Sequence, residues 1–214
     1  MALGTATVAY ELRFDAGRIC LDLLATTHPE ERLDSTEVLG AWIVGSGLVP
    51  EGTDLTHMDP SWLVDFRELR GRIGQLVRGT PGQAPGHGPG HGPGQARGQA
   101  AGHAYDLALA HVNAAARAAP PAPRAVPAED GSLVRELDGP PDCAALLGAV
   151  ARDAVELLTD PVARAGIREC EGDNCPIVYL DTSRGRRRRW CSSEVCGNRE
   201  RVARHRRRAA LSRS

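Results

Sequence analysis

The sequence contains no lysine, so all 26 of its basic residues are arginines. Aromatic residues make up only 4% of the chain, so a core has to be built mostly from Ala, Leu, Val and Ile. No apolar run approaches the roughly 18 residues that a membrane span needs. The N-terminal segment also lacks the basic and apolar regions of a signal peptide. We therefore expect a cytoplasmic protein without membrane association, in which the six cysteines stay reduced.

Catalytic signatures are missing as well. The chain has no Gly-rich phosphate loop, no G-x-S-x-G motif and no H-E-x-x-H motif. Its seven histidines are scattered along the sequence rather than clustered. We therefore expect a binding protein rather than an enzyme.

The charge is distributed very unevenly. The formal net charge is −1, but residues 1–183 hold 14 Arg against 25 Asp and Glu, a balance of −11. Residues 184–214 hold 12 Arg against 2 Glu, a balance of +10. An acidic body with a basic tail favours a polyanionic partner for the tail.

Hydrophobic periodicity predicts a mainly helical body over residues 1–165, with a few short strands. The clearest helix begins near Pro60, where apolar residues recur at steps of four and three. The segment before residue 21 alternates and predicts a short strand or hairpin, followed by a buried stretch over residues 21–27. Residues 79–104 are rich in Gly, Pro and His and predict a disordered loop. The expected fold class is α+β, mainly helical.

Four cysteines form the pattern C-x4-C-x15-C-x4-C. They are Cys170, Cys175, Cys191 and Cys196. Two pairs on tight turns aim four sulfurs at one point, which is typical of a structural zinc site. Redox-active thiols and chance spacing are the alternatives. Cys20 and Cys143 sit among apolar or helical residues and are expected to be structural.

The segment between the two pairs predicts the rest of a small zinc domain over residues 166–214. Residues 176–180 read PIVYL, a short strand, and residues 186–191 are expected to return beside it as a second strand. The second cysteine pair then opens a helix that has no breaker after Gly197. We expect a treble-clef-like finger whose folding energy comes from one zinc ion.

Ten arginines on this finger are candidate nucleic-acid contacts. They are Arg186, Arg187, Arg188, Arg189, Arg199, Arg201, Arg204, Arg206, Arg207 and Arg208. Closely spaced guanidinium groups repel one another unless an anion neutralises them, and arginine suits both phosphates and guanine edges. The alternative is that the tail docks on the acidic body of its own chain or of a second copy.

The finger segment closely resembles the CGNR zinc finger, through YLDTSRGRRRRWCSSEVCGNRERVARHRRR and its motif Cys196-Gly197-Asn198-Arg199. The body resembles the ABATE domain that normally precedes this finger, through LDLLATT at residues 21–27 and AWIVGSGLV. The resemblance implies a bacterial protein with zinc on the four cysteines and a role in stress-related transcriptional regulation. The chain departs from the family at Ala25, where an Asn is usual, and in the insertion after residue 79.

These features favour a DNA-binding transcriptional regulator whose helical body senses a small-molecule effector or forms a homodimer. Three alternatives remain open: an RNA-binding factor, a zinc-thiolate redox switch, and a protein-interaction module. The arginine-rich tail alone does not separate DNA from RNA.

Overall fold

The computed structural model describes residues 12–79 and 93–211, apart from the side chains of 93–100 and 207–211. This part of the chain is mainly helical with two small two-stranded sheets, which confirms the expected α+β class. The helices are α1 (Ile19–Ala25), α2 (Thr36–Gly45), α3 (Pro60–Arg78), α4 (Pro93–Ala115), α5 (Cys143–Thr159), α6 (Pro161–Arg164) and α7 (Cys196–Leu211). The strands are β1 (Pro123–Pro127), β2 (Leu133–Leu137), β3 (Ile167–Glu169) and β4 (Val178–Leu180).

Helix α3 lies at the centre of the body. The carboxylate of Asp59 accepts a hydrogen bond from the Ser61 amide at 2.7 Å, and Pro60 fills the first helical position. The apolar stripe expected from the sequence is buried, and its members are Trp62, Phe66, Leu69, Ile73 and Leu76. Helices α1, α2, α4 and α5 all pack on α3, so their apolar faces share one core.

The described chain begins with an irregular segment that leads into α1. Residues 12–15 have no regular structure, and α1 follows at once with most of its residues buried. Asp153 of α5 stabilises the start of α1, because its carboxylate accepts a hydrogen bond from the Cys20 amide at 2.9 Å and pairs with Arg18 at 2.8 Å. This tertiary contact supplies the helix cap that the local sequence lacks. The strand or hairpin expected before residue 21 is wrong for residues 12–20, which form no strand, and the part before residue 12 lies outside the described residues.

The structure describes only part of the segment rich in Gly, Pro and His. Helix α4 begins at Pro93, so the disordered loop expected over 79–104 is wrong for its second half. Gln, Ala and Arg alternate with glycine there, and such residues extend a helix that is already nucleated. Residues 80–92, with His87 and His91, lie outside the described part of the chain.

The finger begins immediately after α6. Strands β3 and β4 pair antiparallel, with Ile167 opposite Leu180 and Glu169 opposite Val178. We expected β4 to pair with residues 186–191, and that expectation was wrong. Residues 184–190 instead form a loop, in which the Arg188 carbonyl accepts from the Tyr179 hydroxyl and the Arg188 amide donates to the Asp181 carboxylate rather than to a strand. The expected helix after the second cysteine pair is present as α7.

Within residues 12–79 and 93–211, no helix combines the length and the apolar character that crossing a bilayer requires.

Candidate metal centre and basic surface

Two tight turns position the four cysteines. Cys170 and Cys175 lie in the connection between β3 and β4, where Asn174 adopts the left-handed conformation with φ 57°. Cys191 follows the arginine loop, and Cys196 is the first residue of α7. Each turn brings two sulfurs of one pair to the same side, so hairpin and helix together enclose one point.

The sulfur positions fit a tetrahedral metal ion. All four Sγ atoms lie within 4.8 Å of one another, and all four residues are buried. Sγ of Cys191 is 3.7 Å from that of Cys175 and 3.6 Å from that of Cys196, and no disulfide links them. A tetrahedron with zinc–sulfur bonds of about 2.3 Å has edges of about 3.8 Å. The predicted site is therefore assembled and is positioned to bind one metal ion, with the donor set of structural zinc.

Backbone amides already favour a thiolate at one position. Burial opposes ionisation of Cys170, but its pKa is lowered below the ordinary value by the amides of Cys191 and Gly172, which point at its sulfur at 3.3 and 3.4 Å. Burial raises the pKa of Cys175, Cys191 and Cys196 to about 11. A metal must therefore displace protons from these thiols when it binds.

The body reaches the metal centre through Arg13. Its guanidinium donates a hydrogen bond to Sγ of Cys191 at 3.2 Å and is held in place by two bonds to Asp15, at 3.1 and 2.7 Å. The amide of Leu180 in β4 donates to the Ala16 carbonyl at 2.8 Å. Four thiolates and one zinc leave a net negative charge, which the Arg13 cation offsets. The metal centre and the body are thus connected directly.

Arg188 is turned towards the finger rather than towards solvent. Its guanidinium donates to the carbonyls of Trp190 at 2.9 Å, of Asp15 at 3.1 Å and of Cys191, and it lies 4.6 Å from the centre of the Tyr179 ring. These contacts hold the second cysteine turn against β4 and the body. Because the guanidinium is engaged within its own chain, we assign Arg188 to the support of the zinc site and not to the nucleic-acid contacts.

Asp181 organises the arginine loop. One carboxylate oxygen accepts the Ser183 amide at 2.9 Å and the other accepts the Arg188 amide at 3.0 Å. Arg186 takes φ 47° at the tip of this loop and donates to the Val162 carbonyl at 3.1 Å. The loop is therefore a compact turn built on one acidic side chain, which is why a strand does not form there.

The other arginines that we predicted to contact nucleic acid belong to two exposed segments, the arginine loop and α7. Arg186, Arg187 and Arg189 are on the loop, where Arg189 is paired with Glu171 at 2.6 Å and lies 5.3 Å from the Trp190 ring. The exposed arginines of α7 are Arg199, Arg201, Arg204 and Arg206. Arg207 and Arg208 belong to α7, but their side chains lie outside the described residues.

Sequence patterns did not identify the residues of the body that meet the finger. Arg13 and Cys191 are 178 positions apart, so no local spacing links them. The same holds for His28, Arg32 and Arg199, which line one cavity between body and finger. Tertiary contacts such as the hydrogen bond from the Leu180 amide of β4 to the Ala16 carbonyl bring these groups together.

Two family models match this chain. The ABATE model, described as "Putative stress-induced transcription regulator", matches residues 17–161, and the CGNR zinc finger model matches residues 167–209. The chain belongs to the ABATE family. Its C-terminal segment is a CGNR zinc finger, as the resemblance of Cys196-Gly197-Asn198-Arg199 implied. Comparison with curated proteins gave no match.

Proposed function

We propose that this ABATE-family zinc finger protein is a DNA-binding transcriptional regulator and not an enzyme. The proposal rests on the exposure of the arginines on α7 and on the ion pairs that they do not form within the described chain. Four of them are exposed, and Arg199, Arg204 and Arg206 form no ion pair with any residue of the described chain. The family description, which names transcription regulation, supports the same conclusion.

The charge of the tail needs an external partner. The acidic body carries a balance of −11 over residues 1–183, yet in the described chain it does not neutralise these three side chains. Docking within the chain therefore leaves part of the positive charge without a counter-charge. A phosphate backbone supplies regularly spaced negative charge for such a surface, and counterion release strengthens that binding.

The metal centre supports a structural role in this proposal. Four cysteine sulfurs complete the coordination of zinc and leave no position for a substrate or a water. When bound, zinc supplies folding energy to a segment with few large apolar groups. The rigid finger then holds α7 and the arginine loop in one orientation, so that they can contact one face of a duplex.

We further propose that the protein acts in the cytoplasm. All six cysteines are free thiols, and four of them converge on a metal site. A reducing compartment keeps such thiolates available to zinc.

The test is selection from a random duplex DNA pool with the zinc-loaded protein at near-physiological salt. We expect enrichment of a sequence motif. The variant that combines Arg204→Ala with Arg206→Ala should lose the enrichment. Arg152→Ala, which removes an exposed charge from α5, should retain it.

Two outcomes would contradict DNA-specific binding. A pool that stays random while structured RNA is retained would assign the surface to RNA. Equal enrichment by wild type and by the double variant would show that α7 is not the contact surface.

A further inference from the structure

A cavity of about 640 Å³ is lined by residues of both the helical body and the zinc finger. We call it the junction cleft. On the body side it is lined by residues 12–15 and by His28, Pro29 and Arg32. On the finger side it is lined by Asn174, Cys175 and the start of α7. Small-molecule sites have this range of volumes and often lie where two domains meet.

Three arginines and a histidine converge on the junction cleft from both domains. The pKa of His28 is lowered first by burial and then by Arg199, Arg13 and Arg32, so these four side chains share one electrostatic environment. Arg13 is already engaged by Asp15 and by the sulfur of Cys191. The Arg199 guanidinium, in contrast, makes no hydrogen bond and no ion pair with the described residues.

Two carboxylates also face the junction cleft and limit its positive charge. Asp15 is neutralised by its two bonds to Arg13, at 3.1 and 2.7 Å. Glu194 lies on the finger side, before the first residue of α7. Three guanidinium groups therefore stand against two carboxylates, and the imidazole of His28 adds a hydrogen-bonding group, so the lining favours a ligand with one acidic group over a polyanion.

The junction cleft also exposes apolar surface. Phe14 is 40% exposed and Val195 is 42% exposed, and both line the cleft beside Leu12 and Pro29. Large apolar side chains with this exposure are costly in water unless they meet an apolar partner. One on the body and one on the finger face the same space, next to the cationic groups.

We propose that the junction cleft binds a small amphipathic anion, an aromatic or aliphatic molecule with one carboxylate or phosphate group. The acidic group pairs with Arg199 and accepts a hydrogen bond from His28, and the apolar part covers Phe14 and Val195. Such a ligand contacts the body and the finger at once, beside Cys175 and Cys196. Its binding therefore changes how firmly α7 is held against the body, which makes the ligand an effector of the finger.

The test uses the zinc-loaded full chain and calorimetric titration with 1-naphthyl phosphate. We expect saturable binding of one probe per chain. 1-Naphthol lacks the charge and inorganic phosphate lacks the apolar part, and each should bind at least about ten-fold more weakly. These two controls separate the apolar and the charged contributions without any change to the protein.

Variants then locate the probe. Arg199→Ala should weaken binding by about ten-fold to a hundred-fold, because a charge-assisted hydrogen bond is lost. Val195→Ser should weaken it by about three-fold to ten-fold through lost apolar contact. Arg152→Ala removes the same charge from the far surface of α5 and should leave binding unchanged. Zinc content and circular dichroism of each variant show that the fold is intact.

Three outcomes would overturn the proposal. The first is the absence of saturable binding at millimolar probe. The second is an affinity that Arg199→Ala leaves unchanged, which would place the probe elsewhere. The third is equal affinity for inorganic phosphate together with displacement by duplex DNA, which would make the cleft a contact for backbone phosphate. The first two outcomes are measured without DNA, so failure of the cleft proposal is distinguishable from failure of the proposed function.

Discussion

Replacing Arg188 by alanine should destabilise the zinc finger, although Arg188 sits in a run of four arginines on a surface loop. The side chain donates to the carbonyls of Asp15, Trp190 and Cys191 and stacks on Tyr179. The change Arg188→Ala leaves all three carbonyls without this donor. It also removes a cation from the face of an aromatic ring.

The magnitude follows from these contacts. A hydrogen bond from a charged donor contributes about 1.5–3 kcal/mol, and a cation over an aromatic ring about 0.5–1 kcal/mol. Three bonds and one ring contact would give about 5 kcal/mol at the lower end. The side chain is half-buried, so water replaces part of what is lost. We expect a loss of about 2–4 kcal/mol in the free energy of unfolding of the finger.

The assay is urea unfolding followed through release of zinc to a chromophoric chelator. Arg187→Ala is the matched control, because Arg187 is the exposed neighbour and carries the same charge. It should change stability by no more than about 0.5 kcal/mol. Arg188→Lys keeps the charge but lacks the planar guanidinium group that donates to three carbonyls. It should therefore restore less than half of the lost free energy of unfolding.

Equal unfolding of the Arg187→Ala and Arg188→Ala proteins would refute this reasoning. It would mean that the contacts of Arg188 contribute nothing to the finger, and Arg188 would return to the set of candidate nucleic-acid contacts.

Chelation of zinc should unfold residues 166–214 while the body keeps its helices, because zinc supplies about 10–16 kcal/mol to the finger; circular dichroism that shows no loss of helix and proteolysis that leaves the finger intact would contradict this. Burial raises the pKa of Asp22 to about 7, above its unfolded value, so its protonated form is favoured in the fold. The free energy of unfolding should therefore fall by up to about 4 kcal/mol as the pH rises from about 4 to about 7. Asp22→Asn should remove this pH dependence in urea titrations, and parallel pH profiles for both proteins would refute the reasoning. If the finger makes about six phosphate contacts, log affinity should fall against log salt with a slope near −5, and Arg204→Ala should flatten it by about one. An unchanged slope would exclude the face of α7 that carries Arg204 from the phosphate contacts.

Local sequence patterns predicted much of the fold and the metal site. The spacing of four and three in α3 places its apolar residues on one side, and all five are buried in the core. Asp59 and Pro60 mark the start of that helix through interactions that span two residues. The cysteine spacing predicted the donor set, because each pair is enclosed in a turn whose geometry depends on adjacent residues.

The sequence by itself determined the helices with strong periodicity, the four metal ligands and the division between an acidic body and a basic tail. Each of these depends on residues close together in the chain or on composition. Only the tertiary structure decided the strand partner of β4, the contact of Arg13 with Cys191, the inward position of Arg188 and the junction cleft. The last three join segments far apart in the chain, which carry no local signal of the backbone path that brings them together. The partner of β4 is close in sequence, but candidate strands lie on both sides of β4 in the chain, and only the packing of the finger decides between them.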